Sequence, residues 1–390
     1  MVTILTAVYN AEATLARCLD SLLSQTCADL QVVAVDDAST DRSLSILEDY
    51  ARRDDRLTVL RQTVNKGQAC ARNRALEVAR GEWICMVDAD DWLAPDALEK
   101  AMAVVQTHPD DTDAVLFRLV RVWPDGREEP YPLTLPPDLA VLPLNEVALT
   151  GLQAMELSLD WHIHGLYLVR RDIHLAYPYD DSCRLYSDDN TTRLHYLYSR
   201  RVRFSQATYY YLQNPLSTTL RVSAQYFLCL PAEEHMRHLL LTHLPSSSPS
   251  ASSNPPSSPD TSSSSVSSSL VPPDTPSSSS SSARPIVNSQ SSNRQSPIAS
   301  YERHRWLRVI DCCYYLALHR RAFTRAERRE ARRLILHARA SIDFAALRAT
   351  DAALVRKFGY RPHLRHTFLF LLEQHLYLLL RALRWPLRRR

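Results

Sequence analysis

A chain of 390 residues, 45% of them hydrophobic, with a formal net charge of +3, can form one large domain and a smaller one. The charge is uneven: after residue 300 Lys and Arg outnumber Asp and Glu roughly three to one, while the first hundred residues carry clustered aspartates. Six glycines, with no GxGxxG and no GxxxxGK(S/T) spacing, exclude the usual backbone-amide cradles for a phosphate, and no uncharged apolar run approaches the ~20 residues of a membrane span.

TILTAV (3–8) reads as a short apolar strand, and AEATLARCLDSLLSQ (11–25) as a helix with Leu15, Leu19, Leu22 and Leu23 at helical spacing. LQVVAV (30–35) is a second strand. STDRSLSILEDYARR (39–53) opens with a Ser/Thr/Asp cap cluster and carries Leu44, Leu47 and Tyr50 on one helical face. LTVLRQ (57–62) is a third strand, and GQACARNRALEVARG (67–81) a helix closed by a glycine of the C-cap type. WICMVD (83–88) is a fourth strand, PDALEKAMAVVQTH (95–108) a helix with Pro in its first turn, and DAVLFRLVRV (113–122) a fifth strand. Wholly apolar strands alternating with amphipathic helices predict an α/β fold whose parallel sheet is covered on both faces.

Ligands of such sheets bind beyond the carboxyl ends of the strands. The polar signals gather there: VYN after strand one, DDAST after strand two, NKG after strand three and DADD after strand four. Residues 123–150 read as Pro-rich loop and 151–220 as mixed structure, so 1–220 is expected to be one folded domain, with a helical extension over 221–244. Ser and Pro dominate 245–300, a composition that cannot bury a core and predicts a disordered linker. An Arg-rich helical region follows over 301–390. The eight cysteines are scattered without a CxxC pair and read as reduced, core-filling thiols. The opening stretch has neither a basic leader nor a small-residue cleavage site, so a cytoplasmic chain is expected, or one at the cytoplasmic face of a membrane.

DADD supplies carboxylate oxygens at close spacing, with Asp88 and Asp90 on one side of an extended turn. That suits a hard divalent ion, Mg2+ or Mn2+, completed by a diphosphate. The plainer alternative is an idle turn, with Asp91 capping the next helix.

TAVYNAEATLARCLDSLLSQT, QVVAVDDASTDRS and NKGQACARNRALEVARGEWICMVDADDW together resemble the N-terminal half of family 2 glycosyltransferases, which have the GT-A fold. The match covers roughly residues 2–120, with Ala7 in place of the usual Pro and Ala38 in place of the usual Gly. Further on, WHIHGLYLVRRDI (161–173) is similar to the family's acceptor-side stretch, with Gly165 near the place of its Lys. YSDDNTTRLHYLYSRRVRF (186–204) resembles its Glu-Asp segment, and YYYLQNPLSTT (209–219) a Tyr-rich segment with Gln213 where Arg is usual.

The resemblance implies a GT-A nucleotide-binding fold and inverting sugar transfer from a nucleotide-activated donor of the UDP type to a saccharide or lipid-linked acceptor, in surface polysaccharide or glycolipid synthesis. Asp189 would be the base and Asp188 would take the Glu position; a helix N-terminus is the alternative reading of both. Asp90 would bind the metal and Asp88 the ribose or a metal-bound water. Asp37 would read the base of the nucleotide, supported by Asp36. Ala7, Tyr9, Asn10, Lys66, Gly67 and Arg72 would complete the nucleotide site, with Arg72 on the carboxylates or the diphosphate. Asp91, Trp92 and Trp161 would face the acceptor. Each also has a plain reading as a cap, a core residue or a solvated arginine. Two rivals remain: a non-catalytic sugar-nucleotide-binding module and a nucleotidyltransferase. The tail HTFLFLLEQHLYLLLRALRWPLRRR (366–390) either packs on the catalytic domain or lies on a membrane surface. The basic helices lack interleaved stacking motifs, so no nucleic acid is expected.

Overall fold

The computed structural model of the protein describes residues 1–183, 185–213, 221–243 and 296–350. The chain runs β1 (Val2–Val8), α1 (Leu15–Leu23), β2 (Leu30–Asp36), α2 (Ser43–Ala51), β3 (Leu57–Arg61), α3 (Gln68–Leu76), β4 (Trp83–Met86), β5 (Trp92–Leu93), α4 (Ala97–Thr107), β6 (Thr112–Val122) and β7 (Glu128–Pro130). It continues through α5 (Pro137–Ala140), β8 (Ala148–Thr150), α6 (Gly151–Leu159), β9 (Tyr167–Arg170), α7 (Arg171–Ala176), α8 (Ser187–Tyr198) and β10 (Arg201–Leu212). Four more helices close it: α9 (Cys229–His243), α10 (Ser296–Leu318), α11 (Arg325–Ala340) and α12 (Phe344–Thr350).

The sheet order is β3–β2–β1–β4–β9–β6–β10–β5. β3, β2, β1 and β4 pair in parallel, as do β6 and β10. Successive residues of the central strands serve opposite layers. Ile4, Val32 and Ala34 pack with the α1 residues Leu15, Cys18, Leu19 and Leu22. Leu5, Val33 and Val35 pack with Ala71, Ala75 and Leu76 of α3 on the other face. This two-sided burial is why β1 and β2 read as continuous apolar runs instead of alternating ones. The mostly parallel α/β sheet agrees with the fold class expected from the sequence.

Three local expectations change. The strand at 113–122 is not the next parallel neighbour of β4, because β9 slots between β4 and β6, antiparallel to both. The helix predicted to end at Gly81 stops at Leu76, and Gly81 is no C-cap. Its backbone N–H donates to Thr3 Oγ1 at 2.8 Å, and a Cβ there would meet Thr3 N at 2.6 Å and Val2 C at 2.8 Å. Glycine is required there by close packing of the turn on β1. Finally, α10 begins at Ser296, inside the span read as linker; the rest of that span (245–295) and the 366–390 tail lie outside the described residues.

The helices after residue 228 have a core of their own, with Phe227, Trp306, Ile310, Phe323 and Ile335 buried together. They also dock on the sheet domain. Tyr301 is fully buried in the α3-side core, Ser300 Oγ donates to Glu156 at 2.9 Å, and Arg303 pairs with Asp160 at 2.9 Å. All eight cysteines are free. No helix of the described residues is long and apolar enough to cross a membrane.

Gly81→Ala should lower stability by roughly 3 kcal/mol, because the atoms it meets are backbone and cannot rotate away. A denaturation midpoint equal to wild type would show that the turn relaxes freely.

Candidate active site

The carboxyl ends of β1, β2 and β3 are adjacent, and their loops are tied to one another by side chains. Asp37 continues the β1 pairing by donating its N–H to Val8 O at 2.8 Å. Its buried carboxylate takes the backbone N–H groups of Lys66 and Gly67, both at 2.8 Å, and Gln62 Nε2 at 3.1 Å. Asp36 is also buried and accepts from Ser39 N. Asn10, with φ 51°, accepts the Thr40 N–H on its side-chain oxygen at 2.8 Å and donates its own backbone N–H to Ser39 Oγ at 3.1 Å. Ala38 sits at φ 59°, in the left-handed region where a Cβ is disfavoured. Ala7 is the one partly exposed residue of β1, next to the buried Val8, while Tyr9 stands half-exposed beyond the strand.

At the end of β4, Asp88 Oδ1 receives Arg72 Nη2 at 2.6 Å. The Arg72 side chain is fully buried, and its Nε and Nη1 have no hydrogen-bond partner. Asp91 is fully buried and accepts from Tyr209 Oη and Leu212 N, both at 2.8 Å. It therefore braces the turn against β10 and caps nothing: α4 has Asp96 at its N-cap. Each of its oxygens thus holds one hydrogen bond, and Asp91 also contributes to the cavity lining. Trp92 also departs from expectation. It stacks on Tyr210 at 5.2 Å under the Arg17 guanidinium, 3.8 Å from the ring centre, and stays out of the cavity wall. Asp90 keeps no fixed cation on its carboxyl; burial and then the charge of Asp88 push its pKa up to about 6.

A cavity of about 200 Å³ opens beside Asp88. Asp188 and Asp189, in the first turn of α8, share its wall with Trp161 and a set of tyrosines that includes Tyr131, Tyr179 and Tyr211. Asn73 fixes one side of it. Its amide donates to Tyr179 O and accepts the Tyr179 N–H, both at 2.8 Å, which sets the Tyr179 ring 5.3 Å from the Arg72 guanidinium. Gly165 gives the room Thr192 needs, since a Cβ there would lie 2.9 Å from Thr192 Oγ1. The charge of Asp188 acts on Arg72, Tyr179 and Tyr211. Asp189 shares a helix face with Arg193, four residues on. Burial raises the Asp189 pKa to about 6, against the pull of Arg193 and Arg308.

Among the described residues, no group of three or more His, Cys, Asp or Glu is set to hold a metal ion. Asp88 and Asp90 nonetheless fit a divalent cation that takes its remaining ligands from a diphosphate and water. Burial first, and then the charge of Asp88, raise the Asp90 pKa, and a bound cation would oppose both.

Residues 3–140 match the family model described as Glycosyl transferase family 2. Over this segment, about a third of the chain, the protein is similar to glycosyl transferase family 2. The glycosyltransferase EpsJ of Bacillus subtilis (strain 168), itself uncharacterized, is 31% identical over 225 residues, which is 56% of this chain and 63% of EpsJ. The poly(ribitol-phosphate) beta-glucosyltransferase of Bacillus spizizenii is 43% identical over 100 residues, 25% of this chain and 16% of that protein. This chain thus spans less than two thirds of the length of these curated relatives. Among solved structures, S. aureus TarS 1-349 in complex with UDP-GlcNAc has a TM-score of 0.46 at 22% identity, covering 62% of this chain and 71% of that one.

Within the matched segment, the motif residues fall into two groups. Tyr9, Asn10, Asp36, Asp37, Lys66 and Gly67 form the loops over β1–β3, while Arg72, Asp88 and Asp90 form the end of β4. Only Asp88, Asp91, Asp188, Asp189 and Trp161 of the expected site reach the cavity. Sequence reasoning missed a buried network behind α8. Arg193 Nη1 lies 3.3 Å from Glu233 Oε1 on α9, and His304 Nε2 on α10 lies 2.9 Å from the same oxygen. Its only trace in the sequence is charge at positions where α9 and α10 should be apolar.

Two outcomes follow from this geometry. Ala38→Gly should raise stability by about 0.5–1 kcal/mol, since the relief of left-handed strain exceeds the added chain entropy; an unchanged or lower midpoint in urea would refute the strain. The second concerns pH. The folded Asp189 carboxyl binds its proton more tightly than the unfolded one, whose pKa is near 3.8. Its contribution to stability is therefore fully present below pH ~4 and lost as pH rises through about 6. Asp189→Asn should shrink the fall in stability between pH 4 and 7 by on the order of 1–3 kcal/mol, and an identical pH profile would contradict this.

Proposed function

We propose that this chain is an inverting glycosyltransferase that moves a sugar from a nucleoside diphosphate donor, of the UDP type, to an acceptor hydroxyl. The observation that carries the reading is one cavity with Asp88, at the end of β4, on one wall and the Asp188–Asp189 pair, at the start of α8, on another. An inverting displacement needs these two poles: a place for the leaving diphosphate and a base for the incoming hydroxyl. Asp88 and Asp90 would hold the divalent metal, Mg2+ or Mn2+, which when bound neutralises charge on the leaving group. Arg72, locked against Asp88, adds fixed positive charge at the same pole.

Of the two adjacent acids, Asp188 is the better base. Its charge reaches Arg72, Tyr179 and Tyr211 around the cavity, whereas that of Asp189 is met by Arg193 and Arg308. This moves the expected role by one residue. The Asp188 carboxylate takes the acceptor proton as the hydroxyl oxygen attacks the anomeric carbon. The tyrosine-rich wall and Trp161 suit the apolar face of a saccharide acceptor. A relative that acts on poly(ribitol-phosphate) is in keeping with an acceptor belonging to a surface polymer.

Asp188→Asn should keep donor affinity and lose about 10²- to 10⁴-fold in transfer, because the carboxylate acts in the transition state. Asp189→Asn should cost far less in rate. The opposite ranking would return the role to Asp189. A thermal-shift screen of nucleoside diphosphates with and without Mn2+ tests the donor site: at about 100 times Kd the ligand should stabilise the protein by ~2.7 kcal/mol. Asp90→Ala should abolish the Mn2+-dependent part. Equal binding in excess EDTA would sink the metal role, and release of pyrophosphate in turnover would point to nucleotidyl transfer instead.

A further inference from the structure

His174 of α7 is 2% exposed, and neither ring nitrogen has a hydrogen-bond partner, yet the ring forms part of the cavity wall. Buried polar groups are almost always satisfied, so such a residue calls for an explanation. Its neighbours offer none. The Tyr179 ring meets it edge-on at 4.8 Å, and the His195 ring lies 4.4 Å away. Both His195 nitrogens are already engaged, Nδ1 with Tyr167 Oη at 2.6 Å and Nε2 with Tyr177 O at 2.7 Å. The nearby wall is apolar, made by Ile84 and Val169. Burial, helped by the neighbouring His195 and Arg72, keeps the imidazole neutral.

A neutral imidazole offers one donor and one acceptor, the pattern that vicinal sugar hydroxyls satisfy. The position is on the donor side. Tyr179, which packs on His174, is the residue that lies against Arg72, and Arg72 is bound to Asp88. We propose that His174 hydrogen-bonds a hydroxyl of the sugar being transferred, and so helps select which sugar the donor carries. This rests on the reading of the cavity as a nucleotide-sugar site. Sequence gives no warning of it, since a lone His on a six-residue helix carries no pattern.

The test titrates wild type, His174→Leu and His174→Gln by calorimetry with UDP, GDP and dTDP and with their hexose conjugates. Wild type should prefer one conjugate over its bare nucleotide by about tenfold or more. In His174→Leu that preference should vanish, while affinity for the bare nucleotide stays within about twofold. Its melting temperature should not fall, because the substitution removes two unmet polar atoms. In turnover, KM for the donor should rise with kcat little changed, and His174→Gln should lie between the two proteins. A His174→Leu protein that keeps the sugar preference and melts lower would mark the ring as a core residue bonded to buried water, and would overturn the inference. So would a rise in acceptor KM with donor affinity unchanged. Should the Leu variant not fold, an unaltered preference in His174→Gln overturns it as well. If wild type binds no nucleotide at all, the functional reading itself falls, a result distinct from bound nucleotide with no loss of sugar preference.

Discussion

Carboxylate charge at the end of β4 is the constraint around which this protein is arranged. Asp88, Asp90 and Asp91 fall within four consecutive positions of a largely buried turn, where burial and the neighbouring carboxylate charge raise the proton affinity of Asp90 and Asp91. Each is handled differently. Asp88 receives the buried Arg72 from α3. Asp91 receives a phenol and an N–H from β10, and the same Tyr209 hydroxyl accepts the Asp88 N–H at 3.2 Å. Asp90 receives Arg17 Nη2 on its backbone oxygen, and its carboxyl, held by its own backbone N–H, forms no ion pair among the described residues. Three distant elements thus converge to hold one short turn, and one negative site is left over for a ligand to meet.

The second cluster of charge lies behind α8. A buried ion pair contributes little net stability, since desolvation offsets most of its Coulomb energy. Arg193, Glu233 and His304 are better understood as fixing one geometry. Burial alone would push the Glu233 proton affinity up, but Arg193 and His304 outweigh it and hold the carboxylate ionised. Tyr301 Oη adds a bond to Glu233 O at 3.0 Å. Through this network the start of α8, with Asp188 and Asp189, is referenced to α9 and to α10, which begins at Ser296. The helices after the Ser/Pro-rich stretch are therefore part of what positions the candidate acids, and not a separate tail.

How much of this was legible in the sequence follows from how local each cause is. The β3–β2–β1–β4 half was readable because each strand is buried on both faces by its own flanking helices, which writes continuous apolar runs into the chain. The site loops were readable because their polar residues sit at strand ends. β9 was not, since its four residues gain strand character only by pairing with β4 and β6. Asp91 illustrates the same limit. The capping reading failed, because its partner Tyr209 lies 118 residues away in sequence. Gly81 looked like a helix terminator for a similar reason: the clash that requires glycine is with β1.

Backbone strain gives an independent bearing on where function resides. Among the described residues, the non-glycine residues with positive φ are Asn10, Ala38, Trp161 and Tyr186. Asn10 and Ala38 follow β1 and β2, Trp161 lines the cavity, and Tyr186 precedes the first turn of α8 that carries Asp188 and Asp189. Gly67, at φ 91°, adds the loop after β3. Such conformations cost on the order of 1–3 kcal/mol each and persist where surrounding structure enforces them. They share no sequence pattern, yet they border the same region as the Asp90 carboxyl and the unmet nitrogens of Arg72 and His174. Strain, uncompensated charge and unsatisfied polar groups are each unfavourable in the free protein. Of these, Trp161 and His174 lie on the cavity wall itself, while the others belong to the strand-end loops, to α3, to the turn after β4 and to the start of α8.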